Sequence, residues 1–292
     1  MSYKLQDKSI ALLGGDDREV KLLSMLKETG AKLQVLGEVT KIEGIKVVNS
    51  LTEIDNKVDA VIAPMTGINQ DYQIKKTFVD KDITLTEEFF AKLQPATKFF
   101  IGFAKPQLKK WCTKYDLELI ELAALDEVAI LNAVPTAEGA IELAIREASI
   151  NLHNNNSFVL GLGRVGLTVA RMLKGLGSNT FGVARKNKDL ARALEMGLTP
   201  VNFKNLSSEI NKADFIFNTV PVKVLDRKLL EQVNPNTLII DLASAPGGTD
   251  FETAQQLGIQ AELALGLPGK VAPTSAGEIL GNVIPRFILE ES

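Results

Sequence analysis

One cysteine, Cys112, and one histidine, His153, are all that a chain of 292 residues offers of either type. A lone cysteine closes no intrachain disulfide, so the sequence does not read as a small cross-linked scaffold. The same scarcity argues against a His/Cys metal centre and against a Cys–His nucleophilic pair. Aromatic residues are also sparse, at 6%. Apolar runs are short: Phe99 to Ala104 and Thr237 to Ile240 fall well below the ~20 residues needed to cross a bilayer. Excess charge is missing too, since 33 basic residues against 36 acidic ones leave a net charge of −3. No basic field draws the chain to nucleic acid, and the expected partner is a small molecule or another protein. No secretory leader precedes the strand-like run Ser9 to Leu13, so a cytoplasmic protein is expected.

What the chain does have is an internal repeat. A shift of 147 residues lays Gly14 on Gly161, Met25 on Met172, Leu26 on Leu173, Lys27 on Lys174 and Gly30 on Gly177. Both copies read as strand, tight turn, helix. Later segments correspond in order: Lys57 to Ala63 resembles Lys212 to Asn218, and Pro95 to Gly102 resembles Pro235 to Leu242. Short apolar runs alternating with amphipathic stretches are the pattern of parallel strands covered by helices. The expected fold class is α/β, with two doubly wound parallel-sheet domains. The expected divisions are 1–134, a connecting helix over 135–151, a second domain over 152–268, and a C-terminal segment 269–292. Thr136 is expected to cap the connecting helix, along which Ile141, Ala144, Ile145 and Ala148 recur at helical spacing. The C-terminal segment should form a helix, bent at Pro285, that returns to the first domain.

The strongest chemical signal is the run Gly161, Leu162, Gly163, Arg164, Val165, Gly166. It stands directly after a strand and directly before a helix. The first glycine permits the tight turn, the second lets backbone approach a pyrophosphate, and the third lets helix and strand pack closely. This Rossmann-like turn predicts a dinucleotide on the helix N-terminus. The next strand decides which one. NAD sites usually end it with an acid that accepts from the ribose 2′-hydroxyl, whereas this strand ends in Ala184, Arg185, Lys186, Asn187 and Lys188. Arg185 and Lys186 suit a 2′-phosphate, so NADP is expected.

In the first copy, Asp16 and Glu19 stand where the second has Gly163 and Gly166. Carboxylates there would repel a pyrophosphate, so the first domain is expected to serve a substrate or partner instead. In the second domain Thr219, Val220 and Pro221, and the run from Asp241 through Ala243 and Ser244 to Gly248, should lie along the cofactor near its nicotinamide. His153, just ahead of the second domain's first strand, reads as a linker residue. That argues against a histidine-dependent hydroxyacid dehydrogenase. Oxidation of a ring that becomes aromatic needs less acid-base help and fits the sequence better.

Five segments together, Gly14 to Arg18, Pro135 to Gly139, Gly161 to Gly166, Asp241 to Phe251 and Gly266 to Pro273, resemble the family of dipicolinate synthase A subunits over essentially the whole chain. The resemblance implies an NADP-dependent oxidoreductase of a sporulating bacterium's mother cell. With a flavoprotein-like B subunit of dipicolinate synthase, it would convert a dihydrodipicolinate-type intermediate of the lysine pathway to dipicolinate. One departure is Ala245, where the family pattern can carry arginine. A dicarboxylate needs donors at both ends, and Arg18, Lys270, Thr136 and Ser244 are the expected substrate contacts. Self-association into a homo-oligomer is also expected. Two other readings stay open at this point: an NADP(H)-binding regulator without turnover, and a stand-alone hydroxyacid or amino-acid dehydrogenase.

Overall fold

A computed structural model of the chain describes residues 3–37, 43–74 and 82–290. The chain divides into two units, Met1–Ala129 with Ala272–Ser292, and Ile130–Val271.

In the first unit β1 (Ser9–Leu12), β2 (Lys32–Leu36), β3 (Lys46–Val48), β4 (Ala60–Ile62), β7 (Lys98–Ile101) and β8 (Glu118–Glu121) form one parallel sheet in the order β3-β2-β1-β4-β7-β8. The short pair β5 (Gln73–Ile74) and β6 (Ile83–Thr84) is antiparallel and separate. Because side chains alternate along a strand, each central strand feeds two cores. Ala11, Val61, Phe99 and Ile101 pack with Phe90, Leu108 and Trp111 on helices α2 (Glu87–Lys92) and α3 (Pro106–Lys114). Ile10, Leu12, Ile62 and Phe100 pack instead with Leu22 and Leu26 of α1 (Asp17–Glu28) and with Leu280 and Ile284 of the C-terminal helix Pro273–Leu289.

The C-terminal helix can press onto α1 because Gly277 and Gly281 carry no Cβ. One placed on Gly277 would meet the Arg18 carbonyl at 2.5 Å, and one on Gly281 the Met25 sulfur at 2.5 Å. The helix continues through Pro285 and ends on Lys98, whose ammonium donates to the Phe287 and Glu290 carbonyls at 2.6 and 2.5 Å. A cation there satisfies terminal acceptors and complements the helix dipole.

The connecting helix differs from expectation. It is α4, Asp126–Glu147, and Pro135 lies inside it rather than at its start. Proline removes one backbone donor without ending the helix, and the Thr136 hydroxyl donates to the Asn132 carbonyl at 2.7 Å instead of capping a first turn. The division between the units accordingly falls within α4, after Ala129. Among the described residues α4 is the one helix long and apolar enough to cross a membrane, with a mean hydropathy of 1.4. Its Ala137, Ala140, Leu143 and Ala144 are buried in the core of the second unit, as in an ordinary core helix.

The second unit repeats the first. Strands β9 (Asn156–Leu160), β10 (Asn179–Ala184), β11 (Thr199–Asn202), β12 (Phe215–Asn218), β13 (Leu238–Asp241) and β14 (Gln260–Leu263) are parallel in the order β11-β10-β9-β12-β13-β14. Helix α5 (Arg164–Gly175) follows β9 as α1 follows β1, and α6 (Asn187–Glu195) follows β10. The 147-residue shift carries Asp17–Glu28 onto Arg164–Gly175 end to end.

Candidate functional site

In each sheet the strand order reverses beside the first strand, between β1 and β4 and between β9 and β12. Loops leaving the carboxyl ends part at such a point and open a crevice. In the second unit the crevice holds the glycine turn. Gly161 has φ +89°, and a Cβ on it would meet the Thr219 hydroxyl at 2.7 Å and Val220 at 2.8 Å. A Cβ on Gly166 would run into the Gly161 carbonyl oxygen, so α5 can lie this close to β9 only with glycine there. Gly163 is the N-cap of α5, no side chain caps this helix end, and a Cβ on Gly163 would meet nothing within 4 Å. The start of α5 thus has open volume at Gly163 and no side-chain cap, the arrangement a pyrophosphate-binding turn requires.

Around this turn stand the other expected cofactor residues. Arg185 and Lys186 leave the end of β10 and are exposed, with the Arg185 guanidinium 5.6 Å from the centre of the Phe203 ring. No acid follows until Asp189, within α6. Thr219 follows β12. Its backbone N–H donates to the Leu160 carbonyl at 2.9 Å, and its hydroxyl is shared between Leu160 and Gly161 carbonyls at 2.9 and 3.2 Å. Val220 is held by Asn218, the fully buried last residue of β12, whose side chain accepts from the Val220 N–H at 3.0 Å and donates to its carbonyl at 3.1 Å. Pro221 is exposed beyond it. Ala243 is buried and Ser244 exposed in the loop after β13. The residues named for the cofactor therefore all sit at the carboxyl ends of four neighbouring strands, β10, β9, β12 and β13. Phe203 beneath Arg185 and the polar strand end Asn218 have no role that the sequence alone singles out, and Asp241 enters there only as the start of a loop run, not for its carboxylate. The signal that could have found the strand ends is an amide and an acid closing otherwise apolar strands.

The first unit's turn has the same backbone plan and the opposite chemistry. Asp16 is the N-cap of α1, and its carboxylate accepts from the Arg18 N–H while the Glu19 carboxylate accepts from the Asp16 N–H at 2.8 Å. This is a capping box. Glu19 is 1% exposed, and its other oxygen accepts from the Met65 N–H at 2.8 Å, which ties the loop after β4 to the helix start. A Cβ on Gly15 would strike the Glu19 side chain, and the Asp16 side chain itself occupies the position that Gly163 leaves open in the second unit. Burial pushes the Glu19 carboxyl up to about 7, against the backbone donors and the Arg18 charge. Burial also acts to raise Asp16, but the hydrogen bonds and charge of Arg18 prevail and hold it well below the usual carboxylate range.

Arg18 is the expectation the geometry opposes. Its side chain is 7% exposed, and its guanidinium makes a two-bond fork to Asp16, at 2.8 Å through each nitrogen. The cation is spent on its own helix cap and does not face solvent as a substrate contact would. Thr136 directs its hydroxyl to the Asn132 carbonyl within α4. Lys270 is exposed on the short helix Leu267–Val271, which packs on α4 where Gly139 makes room: a Cβ there would meet Leu267 at 3.2 Å and Val271 at 3.1 Å. His153 is exposed beyond the amino end of β9, with Nδ1 3.2 Å from the Leu176 carbonyl oxygen, at the far end of the strand from the glycine turn. Cys112 is buried, and burial pushes its thiol up to about 12, which leaves it protonated and inert at neutral pH.

Comparison with known proteins gives matches over both units. Residues 9–123 match the family described as the N-terminal domain of the dipicolinate synthase A subunit, and residues 136–246 match the D-isomer specific 2-hydroxyacid dehydrogenase, NAD binding domain. The dipicolinate synthase A subunit of Bacillus subtilis (strain 168) is 36% identical over 284 residues, covering 96% of each chain. The crystal structure of the dipicolinate synthase A subunit from Bacillus halodurans superposes with a TM-score of 0.95 at 36% identity, over 99% of this chain and 100% of that one. A transhydrogenase structure from Sinorhizobium meliloti shares the fold, with a TM-score of 0.67 at 14% identity over 96% of this chain and 93% of that one.

Proposed function

The chain belongs to the family of dipicolinate synthase A subunits, and from that membership we propose that it is the NADP-dependent oxidoreductase component of a dipicolinate-forming enzyme. The observation that carries the reading is the contrast between two equivalent helix starts. The start of α1 is filled by Asp16 and Glu19, whereas that of α5 has no side-chain cap and opens on free volume at Gly163.

On this reading the first-turn backbone at Gly163, Arg164, Val165 and Gly166 holds the pyrophosphate, with Gly161 making the turn. Arg185 and Lys186 hold the 2′-phosphate, and Phe203 supports the guanidinium face from below. Thr219, Val220, Pro221, Ala243 and Ser244 border the nicotinamide end. NADP⁺, when bound, would supply a hydride acceptor. Aromatisation of a dihydrodipicolinate-type ring would release one hydride and one proton, the proton to solvent, so the site would need no buried acid–base pair of its own. Exposed Ser244 and Lys270 are the donors proposed for the substrate carboxylates. Arg18 and Thr136 are left out, because their polar atoms already serve α1 and α4. The second reactant-handling component is the flavoprotein-like B subunit, and the proposed place of action is the cytoplasm of a sporulating cell.

The test is direct. Titration of the purified chain with NADPH and NADH should show clear preference for NADPH. Mixing with the B subunit and a dihydrodipicolinate-generating system should produce dipicolinate's ultraviolet absorbance, and only with both proteins present. Equal affinity for the two cofactors removes the NADP assignment. Cofactor binding without product in the complete mixture removes the enzymatic one.

A further inference from the structure

We propose that Asp241 is the positioning residue for the nicotinamide end of the site; the inference rests on the NADP reading above. Asp241 closes β13 and is fully buried, and among the described residues no basic side chain pairs with it. A buried carboxylate without a cation is costly unless donors converge on it. Here three do: the Ala243 N–H at 3.0 Å on one oxygen, and the Gly248 N–H at 2.8 Å with the Thr249 hydroxyl at 2.6 Å on the other.

These donors come from both ends of one loop. Asp241 therefore draws the outgoing and returning strands of the loop into a closed stem, while Ser244, Ala245 and Pro246 form an exposed tip. The stem also fixes the neighbouring loop. A Cβ on Gly248 would strike the Val220 carbonyl and the Asn218 amide, and the Leu242 N–H donates to the Asn218 carbonyl at 2.7 Å. The two strand ends divide the work by chemistry. Asn218 meets a backbone N–H and a carbonyl, so it must both accept and donate, and an amide does so. Asp241 meets donors only, and a carboxylate is the acceptor-only group. An amide at 241 would turn its NH₂ against a backbone N–H in either orientation, that of Ala243 or that of Gly248. Among the described residues no hydrogen bond of the stem reaches Arg185 or Lys186, which the reading above gives to the 2′-phosphate, so its effect should be felt at one end of the dinucleotide.

The experiment separates those ends. NADPH emission on binding reports the nicotinamide environment, and displacement by 2′,5′-ADP reports the adenine end. Asp241→Asn should weaken NADPH about tenfold and abolish its emission change while leaving 2′,5′-ADP within about twofold of wild type, the size expected for hydrogen bonds to a charged acceptor. Thr249→Val, which removes one donor, should move NADPH in the same direction by less, and Thr249→Ser should restore it. Wild-type NADPH affinity and emission in Asp241→Asn overturn the proposal. So does an equal loss of both ligands, which would mark Asp241 as merely structural. If Asp241→Asn does not fold, the Thr249 pair decides: Thr249→Val indistinguishable from Thr249→Ser overturns it. Wild-type chain that binds neither ligand defeats the NADP reading itself.

Discussion

Two arginines close to strand ends show how much a side chain's use depends on its nearest neighbours. Arg185 is exposed over Phe203, and Arg18 is buried in a fork with Asp16. Arg185→Ala should weaken NADPH by about 10- to 100-fold, the range for losing charge-assisted hydrogen bonds worth ~1.5–3 kcal/mol. NADH should be unaffected, and parallel fluorescence titrations check both. Arg18→Ala should leave NADPH affinity unchanged and instead cost stability, about 3–5 kcal/mol, because it strands the largely buried Asp16 beside buried Glu19. Denaturant unfolding measures that loss, and a variant as stable as wild type would show that the fork contributes nothing. The place of Arg185 at the end of β10 could be read from sequence, because the dinucleotide turn fixes which strand end comes next; the Phe203 ring beside it could not. The Arg18 fork could not. It depends on the φ/ψ of the N-cap, which brings an acid two residues away into line, and a sequence records a cation without recording whether it is already taken.

At the scale of elements, the turn between strand and helix holds the functional difference between the units, and it does so in two residues. Asp16 supplies from within the chain the negative charge that a helix N-terminus attracts, and Glu19 accepts from the Asp16 and Met65 N–H groups. Gly163 and Gly166 leave that place open. Gly163→Asp should copy the first unit's cap into the second: its φ of −86° suits any residue, and a Cβ there meets nothing. The expected result is a pair of opposite changes. NADPH affinity should fall on the order of 100-fold, through repulsion and loss of the backbone donors, while stability rises by about a few tenths of a kcal/mol from the new cap. A variant that binds NADPH normally would show that α5 does not face the phosphates. The repeat makes this comparison legible in the sequence itself, since the 147-residue shift aligns both turns and both helices residue by residue. The limits of α4 are less legible. Pro135 followed by Thr136 looks like a helix start, and only the packed helix, with Thr136 bonded back to Asn132, shows the proline inside.

For the molecule as a whole, duplication of one fold has produced a unit with an open helix start and a unit whose own acid fills it, and that acid makes the stability of the first unit depend on pH. Glu19 rises from its ordinary 4.5 to about 7 in the folded chain, chiefly through burial. Between those values the folded unit retains a proton that the unfolded chain has released, so the unfolded state binds fewer protons and stability falls as pH rises. The decline should begin near 4.5, level off above about 7, and amount to up to roughly 3 kcal/mol. Asp16 acts in the other direction at lower pH. Its depressed value adds stability that is present above its ordinary 3.8 and is lost only as strong acid protonates it in the fold. The two slopes together place the first unit's greatest stability on the acidic side of neutrality. Melting curves between pH 4 and 8 should therefore show the first unit's transition moving down with rising pH, and Glu19→Gln should flatten that movement because an amide has no proton to give up. Its NH₂ must then face one of the two backbone donors at Asp16 and Met65, so the variant should also melt lower at pH 5 than wild type. A wild-type transition that does not move between pH 5 and 8 would mean that the carboxylate is ionised throughout, with Arg18 and the two N–H groups outweighing burial.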